Sequence, residues 1–145
     1  MAGILAITPD RGDRPDFINL CEKQVESFTV RPDLHAIINY TPKSDAPDLM
    51  ERVKSGWEIA LHNGYDWLLI IENDDYYPSS YLESILPLMH NADIIGIEET
   101  RYYNIQNRTH QLFKHEGRSS LVTTAIRVDC FKRFTWPDCV FQPLS

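Results

Sequence analysis

Trp67-Leu68-Leu69-Ile70-Ile71-Glu72-Asn73-Asp74-Asp75-Tyr76-Tyr77-Pro78 is the stretch that decides the fold. An apolar run bounded by turn-forming residues reads as a buried strand. Three carboxylates, Glu72, Asp74 and Asp75, stand at its C-terminal end. Side by side they repel one another unless protons or a cation neutralise them. Open α/β sheets place their ligands at the C-terminal ends of strands. Hard oxygen donors there point to Mg²⁺ or Mn²⁺. A solvated turn would use Asn and Asp as well, and the buried strand in front is what tips the reading towards metal.

Working outward, the pattern repeats. Ile4 to Thr8 predicts a first buried strand, closed by the turn-rich Thr8-Pro9-Asp10-Arg11-Gly12-Asp13-Arg14-Pro15. Pro15 suits the first turn of a helix, and Phe17, Leu20, Cys21, Val25 and Phe28 follow at helical spacing. Leu34 to Tyr40 predicts a second strand, and Thr41 to Pro47 a polar loop. Asp48 to His62 is amphipathic, with Leu49, Val53, Trp57, Ala60 and Leu61 on one side, and stops at Asn63-Gly64. Ser79 or Ser80 caps a helix holding Tyr81, Leu82, Ile85 and Leu86, and Ala92 to Ile97 predicts a fourth strand.

Alternating strands and helices predict an α/β fold with a mainly parallel central sheet flanked by helices. The pattern then changes to a small hairpin or mixed C-terminal part. Arg101 to Ile105 and Gln111 to Lys114 flank a turn at Asn107 to His110. Ser120 to Val128 predicts a strand, Asp129 to Phe134 a short helix, and Trp136-Pro137-Asp138 an irregular tail. No repeat or linker is visible, so residues 1–145 read as one domain.

Composition narrows the function classes. The chain has 145 residues, 43% apolar and 24% charged, which suits one globular domain. A net charge of −7 argues against a general grip on nucleic-acid backbone. Cys21, Cys130 and Cys139 show no CxxC spacing, so neither a zinc site nor a disulfide framework is expected, and reduced thiols in a cytoplasmic setting are. The apolar run Gly3 to Ile7 is too short for a signal-peptide core or a membrane span. A homo-oligomer is compatible with all of this.

Two constellations carry chemistry. In an extended chain Glu72 and Asp74 face the same way across Asn73, so both can serve one ion, with Asp75 as a further ligand or as a turn residue. In the first loop, backbone amides near a helix N-terminus can receive a base or phosphate, and Arg11 or Arg14 can pair with phosphate oxygens. A polar connecting loop would use the same residues. Arg52, Lys43 and Lys54 read as solvated decoration. Tyr102, Tyr103, Phe113 and Trp136 could stack on a sugar ring, although aromatic side chains more often pack in a core.

Thr8-Pro9 with Arg14-Pro15, and Glu72-x-Asp74-Asp75-Tyr76-Tyr77-Pro78 before Tyr81-Leu82, resemble the glycosyltransferase GT-A fold, which has a Rossmann-like nucleotide-binding half. The likeness is to the family-two nucleotide-sugar transferases, and the acidic run is similar to their DXD motif. Ser120 to Phe134 resembles that family's strand-then-helix segment near the acceptor, so the resemblance spans about residues 4 to 137.

The resemblance implies a nucleotide-sugar donor, UDP-linked, a hydroxyl acceptor and an inverting reaction. Residues 1–100 would bind the donor. Residues 101–145 would form an acceptor side, whether of an incomplete piece, of a minimal enzyme or of one that borrows a group from a partner. Thr8, Pro9, Asp10 and Arg11 would lie at the nucleotide, with Thr8 and Pro9 beside the base. Asn39 would stand where the family often has an acidic residue. Glu72, Asn73 and Asp74 would meet ribose and diphosphate, and Asp74, with Glu72 and Asp75, would hold Mn²⁺ or Mg²⁺. The resemblance also implies a carboxylate base, for which Asp138, or Glu99 beside Glu98, is the candidate here. Two other classes stay open: a sugar-nucleotide-binding module without catalysis, and a metal-dependent nucleotidyl- or phosphoryl-transfer enzyme. The single glycine between Thr8 and Pro15 counts against the last.

Overall fold

The structure is a computed structural model that describes residues 3–39 and 48–133. A five-stranded sheet runs in the order β2-β1-β3-β7-β4, and a separate two-stranded ribbon pairs β5 with β6. The sheet strands are β1 (Ile4–Pro9), β2 (Leu34–Ile38), β3 (Trp67–Ile70), β4 (Ile94–Ile95) and β7 (Ala125–Arg127), and the ribbon is β5 (Glu99–Asn104) with β6 (Thr109–Lys114). The helices are α1 (Pro15–Glu26), α2 (Asp48–His62) and α3 (Tyr81–Ile85).

The expectation of a mainly parallel central sheet flanked by helices is not met. β1 pairs in parallel with β2 and with β3, whereas β3–β7, β4–β7 and β5–β6 are all antiparallel. The sheet is therefore mixed. The cause lies after β4, where the chain leaves as a ribbon and returns as β7, running down between β3 and β4. An antiparallel return needs no crossover helix, so the strand–helix alternation that argued for a parallel sheet stops before it.

Two cores sit on opposite faces of the sheet, as the period-2 alternation of strand side chains requires. Ile4 and Ala6 of β1, with Trp67, Leu69 and Ile71, meet Cys21 and Val25 of α1 and Leu82 and Ile85 of α3. Leu5 and Ile7, with Leu68 and Ile70, meet Val53 and Ala60 of α2. The β3 run is buried on both faces because helices cover both, and this is why it reads as continuous apolar sequence rather than alternating.

α1, α2 and β3 start where the sequence predicted, and several later boundaries differ. The fourth strand shrinks from Ala92–Ile97 to Ile94–Ile95. The segment 120–128 divides into a 3₁₀ turn, Leu121–Thr123, and β7, and residues from Val128 to Arg133 form 3₁₀ turns rather than an α-helix. The ribbon turn falls at residues 105–108, earlier than Asn107–His110, with Arg108 taking the positive φ of 52°. Ser80 occupies the N-cap of α3 without a side-chain capping bond. Phe17, Leu20 and Leu49, read as core-facing, are exposed at 41%, 61% and 40%. Tyr40, the loop 41–47, Trp136, Asp138 and Cys139 lie outside the described residues.

Cys21 and Cys130 are free and buried. No helix among the described residues is long and apolar enough to cross a membrane.

Candidate metal and nucleotide site

Parallel register places two loops side by side. Ile7 of β1 lies opposite Ile70 of β3, and the Ile71 N–H donates to the Ile7 carbonyl at 2.9 Å. The chain then leaves β1 as Asp10–Arg14 and leaves β3 as Glu72–Pro78, both at the same edge of the sheet.

Side chains tie these loops together. Asn73 Nδ2 donates to Asp10 Oδ1 at 3.3 Å, with both residues buried. Arg14 Nη1 donates to Asp74 Oδ2 at 3.0 Å. From α1, Gln24 Nε2 donates to the Asp75 carbonyl at 3.1 Å, and Gln24 Oε1 accepts the Tyr77 N–H at 2.9 Å. The Glu72 N–H donates to Tyr77 Oη at 3.1 Å, so the tyrosine ring folds back to the start of its own loop. Tyr77 and Tyr81 pack edge-on at 5.1 Å beneath it.

Glu72, Asp74 and Asp75 are thereby gathered, each offering a carboxylate oxygen, and these oxygens lie within 4.8 Å of one another. The crowding has an electrostatic consequence. Burial, then the hydrogen bond that its protonated form donates to Asp75 and the charges of Asp75 and Asp74, push Glu72 up to about 7, with the Arg14 guanidinium pulling the other way. Burial first, then Asp74, also raises Asp75, while its hydrogen bond with Glu72 acts to lower it. Burial and the crowding of like charges, more than the bond between the two carboxyls, set both directions.

The donor set fits a hard divalent ion. Mg²⁺ and Ca²⁺ bind oxygen at about 2.0–2.6 Å, so oxygens roughly 3–5 Å apart can surround one ion. An ion in that position would neutralise the crowded carboxylates.

Beside the triad opens a cavity of about 360 Å³. One wall is Pro9, Asp10, Arg11 and Arg14, another is Asp48, Leu49 and Arg52 of α2, and Glu72 to Asp74 close it. The volume is that of a small-ligand pocket.

Of the residues named from sequence, Pro9, Asp10, Arg11, Glu72, Asn73 and Asp74 line this cavity. Thr8 does not, because its side chain is fully buried and its Oγ1 meets His35 Nε2 at 2.7 Å and Cys21 Sγ at 3.5 Å. Asn39, one residue past β2, is exposed and is not a lining residue. Glu99 is the first residue of β5, exposed and in register with Lys114, and it is not a lining residue either.

Arg52 corrects the sequence reading. It is 5% exposed, its Nε holds Asp48 Oδ1 at 2.9 Å, and its Nη1 donates to the Ile38 carbonyl at 3.0 Å. It thus caps the end of β2 and turns the first turn of α2 into a cavity wall. The i,i+4 spacing of Asp48 and Arg52 was visible, but on most helices that spacing marks an exposed pair.

No family model matches this chain, and no curated protein matches it. A solved structure described as the crystal structure of A197 from STIV is weakly similar, with a TM-score of 0.49 and 14% identity over 96% of this chain and 72% of that one.

Proposed function

We propose that this protein is a metal-assisted glycosyltransferase that moves a sugar from a nucleoside-diphosphate sugar, UDP-linked, to an acceptor hydroxyl. One observation carries the reading: three carboxylates converge opposite Arg14 at the rim of a ligand-sized cavity, where the ends of β1 and β3 meet.

In this proposal Asp74, Glu72 and Asp75 hold the divalent ion. Once bound, Mn²⁺ or Mg²⁺ supplies charge neutralisation for the diphosphate leaving group. Arg11 and Arg14 pair with phosphate oxygens, as guanidinium forks do. Pro9 and exposed Leu49 offer the apolar surfaces against which a base can lie. Asn73 and Asp10 keep the two loops at fixed spacing. In the reaction the acceptor oxygen loses its proton to a base and bonds to the anomeric carbon. The bond from that carbon to the diphosphate breaks, and the nucleoside diphosphate leaves, with inversion. Asp138 and Glu99 are the proposed bases. A reducing, cytoplasmic setting belongs to the same proposal and agrees with the buried free thiols Cys21 and Cys130.

A second reading is favoured by the position of Glu99 on the ribbon, away from the cavity lining: a module that binds the sugar nucleotide without turning it over.

Calorimetry with UDP, GDP and CDP, each with and without Mn²⁺, tests the site. The expected result is Mn²⁺-dependent UDP binding that disappears in Asp74→Ala. Equal binding by that variant overturns the metal assignment. Donor hydrolysis by wild type, Asp138→Asn and Glu99→Gln separates enzyme from module. Binding without turnover in wild type selects the module.

A further inference from the structure

The β5–β6 ribbon has the least cover of any described element. Every residue from Arg101 to Lys114 is exposed. A two-stranded ribbon alone in water is marginally stable at best. Cross-strand partners share a face, so register sorts its side chains. Thr100, Tyr102, Phe113 and Gln111 form one face. That face partly covers itself, with Tyr102 edge-on to Phe113 at 5.7 Å and His115 5.7 Å beyond, its Nε2 3.1 Å from Thr100 Oγ1. The other face carries Arg101 opposite Leu112, Tyr103 opposite His110, and Glu99 opposite Lys114. Tyr103 is 59% exposed and Leu112 54%.

Charge says what covers that second face. The face holds Arg101 and Lys114 against the single acid Glu99, a net +1, and Arg108 adds a further cation at the turn. A partly apolar surface that carries Glu98 adjoins the ribbon. β4 is the outermost strand of the sheet, and Ile94 and Ile97 are exposed at 50% and 37%. Asp93 and Glu98 bracket them. Asp93 is already paired with Arg127, whose Nε is 3.1 Å from it, whereas Glu98 is held by the Gly117 N–H at 2.8 Å and keeps its charge for a second copy.

We propose that two copies of this chain pair about a two-fold axis, the Arg101–Tyr103–Leu112–Lys114 face of each ribbon packing along the β4 edge of the other. Tyr103 and Leu112 meet Ile94 and Ile97 at the centre, and Arg101 and Lys114 meet Glu98 beside them. Apolar centre and charged rim is the usual anatomy of an interface. Glu98 directly precedes β5, so the two complementary surfaces adjoin on each copy. A two-fold axis beside residues 96–98 satisfies both at once and closes the assembly, whereas a head-to-tail contact would leave one of each unpaired. The pairing stands apart from the proposed chemistry of the cavity.

Sedimentation of the full chain across a range of concentrations, at low and high salt, is the test. The expected result is a monomer–dimer equilibrium that weakens in salt, because the rim pairs are solvent-exposed. Tyr103→Ser with Leu112→Ser, and separately Ile94→Asp, should each weaken the dimer about tenfold or more. These side chains are exposed, so circular dichroism should be unchanged, as should the melting temperature at concentrations where wild type is monomeric. A copy with Arg101→Glu and Lys114→Glu should fail to dimerise, as should a copy with Glu98→Lys. A mixture of the two should form a heterodimer, since each ribbon then faces an edge of opposite sign. A monomer at every concentration, a dimer indifferent to these changes, or a monomer whose ribbon instead retains a single-stranded oligonucleotide overturns the proposal.

Discussion

Gln24 accepts the Tyr77 backbone N–H at 2.9 Å through the same side chain that donates to the Asp75 carbonyl at 3.1 Å. One amide on α1 therefore fixes two backbone groups of the loop that carries the acidic triad. Its neighbour in the fold, Tyr77, fixes a third by accepting the Glu72 N–H. The carboxylates are exposed or half-exposed, but the backbone beneath them is held from two directions.

Gln24→Ala should act on the metal more than on the fold. Two hydrogen bonds of this kind contribute about 0.5–1.5 kcal/mol each to stability. Groups that orient metal ligands matter more, with losses of about 10–100-fold in affinity when they are removed. The expected outcome is a small drop in denaturation midpoint and at least about a tenfold loss of Mn²⁺ affinity by calorimetry. A variant that loses stability but binds Mn²⁺ as wild type does would show that Gln24 only supports the fold.

Arg14→Ala separates cation binding from phosphate binding. The Arg14–Asp74 pair is well exposed, 38% and 41%, and exposed ion pairs contribute about 0–1 kcal/mol. Stability should hardly change. Removing a cation beside the triad should leave Mn²⁺ affinity equal or higher. UDP affinity in the presence of Mn²⁺ should fall about tenfold, as for the loss of a charge-assisted contact. Parallel loss of Mn²⁺ and UDP binding would mean that Arg14 organises the loop instead.

Much of the site's frame could be read in the sequence, because the apolar run of β3 and the turn chemistry after β1 both mark strand ends. Parallel pairing then puts neighbouring strand ends at one edge, and Asp10, Arg11 and Glu72 arrive together. What escaped the sequence depends on tertiary contact. Arg52 looks like a surface residue until β2 presents the Ile38 carbonyl to it. Thr8 looks like a loop residue, but strand alternation turns it towards α1, where His35 and Cys21 receive it. β7 is shorter than the run Ser120 to Val128 suggests, and its direction is not legible there, because its three residues pair only after the ribbon has reversed the chain.

Gly56→Ala tests the seam between α2 and β1. A Cβ on Gly56 would meet Ile7 Cδ1 at 2.5 Å and Cγ2 at 2.9 Å. Ile7 is fully buried and its branched Cβ leaves it little rotamer freedom. Alanine favours a helix by about 1 kcal/mol over glycine. Overpacking costs about 1–3 kcal/mol and should win. Denaturant titration should show a lower midpoint with an unchanged slope. A stabilised variant would mean that the seam has room that the observed packing denies.

The raised Glu72 gives the metal-free protein an unusual response to pH. Burial, Asp75 and Asp74 lift it from an ordinary 4.5 to about 7, against the pull of Arg14. Because the folded value lies above the unfolded one, its contribution to stability is fully present below 4.5 and is lost as pH rises through about 7. Asp75 is shifted in the same direction and adds to the effect. Metal binding needs the carboxylates ionised, so affinity should fall as pH drops below that point, with protons released on binding. Without metal, wild type should therefore lose stability between about pH 4.5 and pH 7, Mn²⁺ should restore it at the upper end, and Glu72→Gln should remove most of the slope. Thermal unfolding at the two pH values, with and without MnCl₂, measures all three. If wild type and Glu72→Gln share one metal-free slope, the crowding of the triad is not felt in solution.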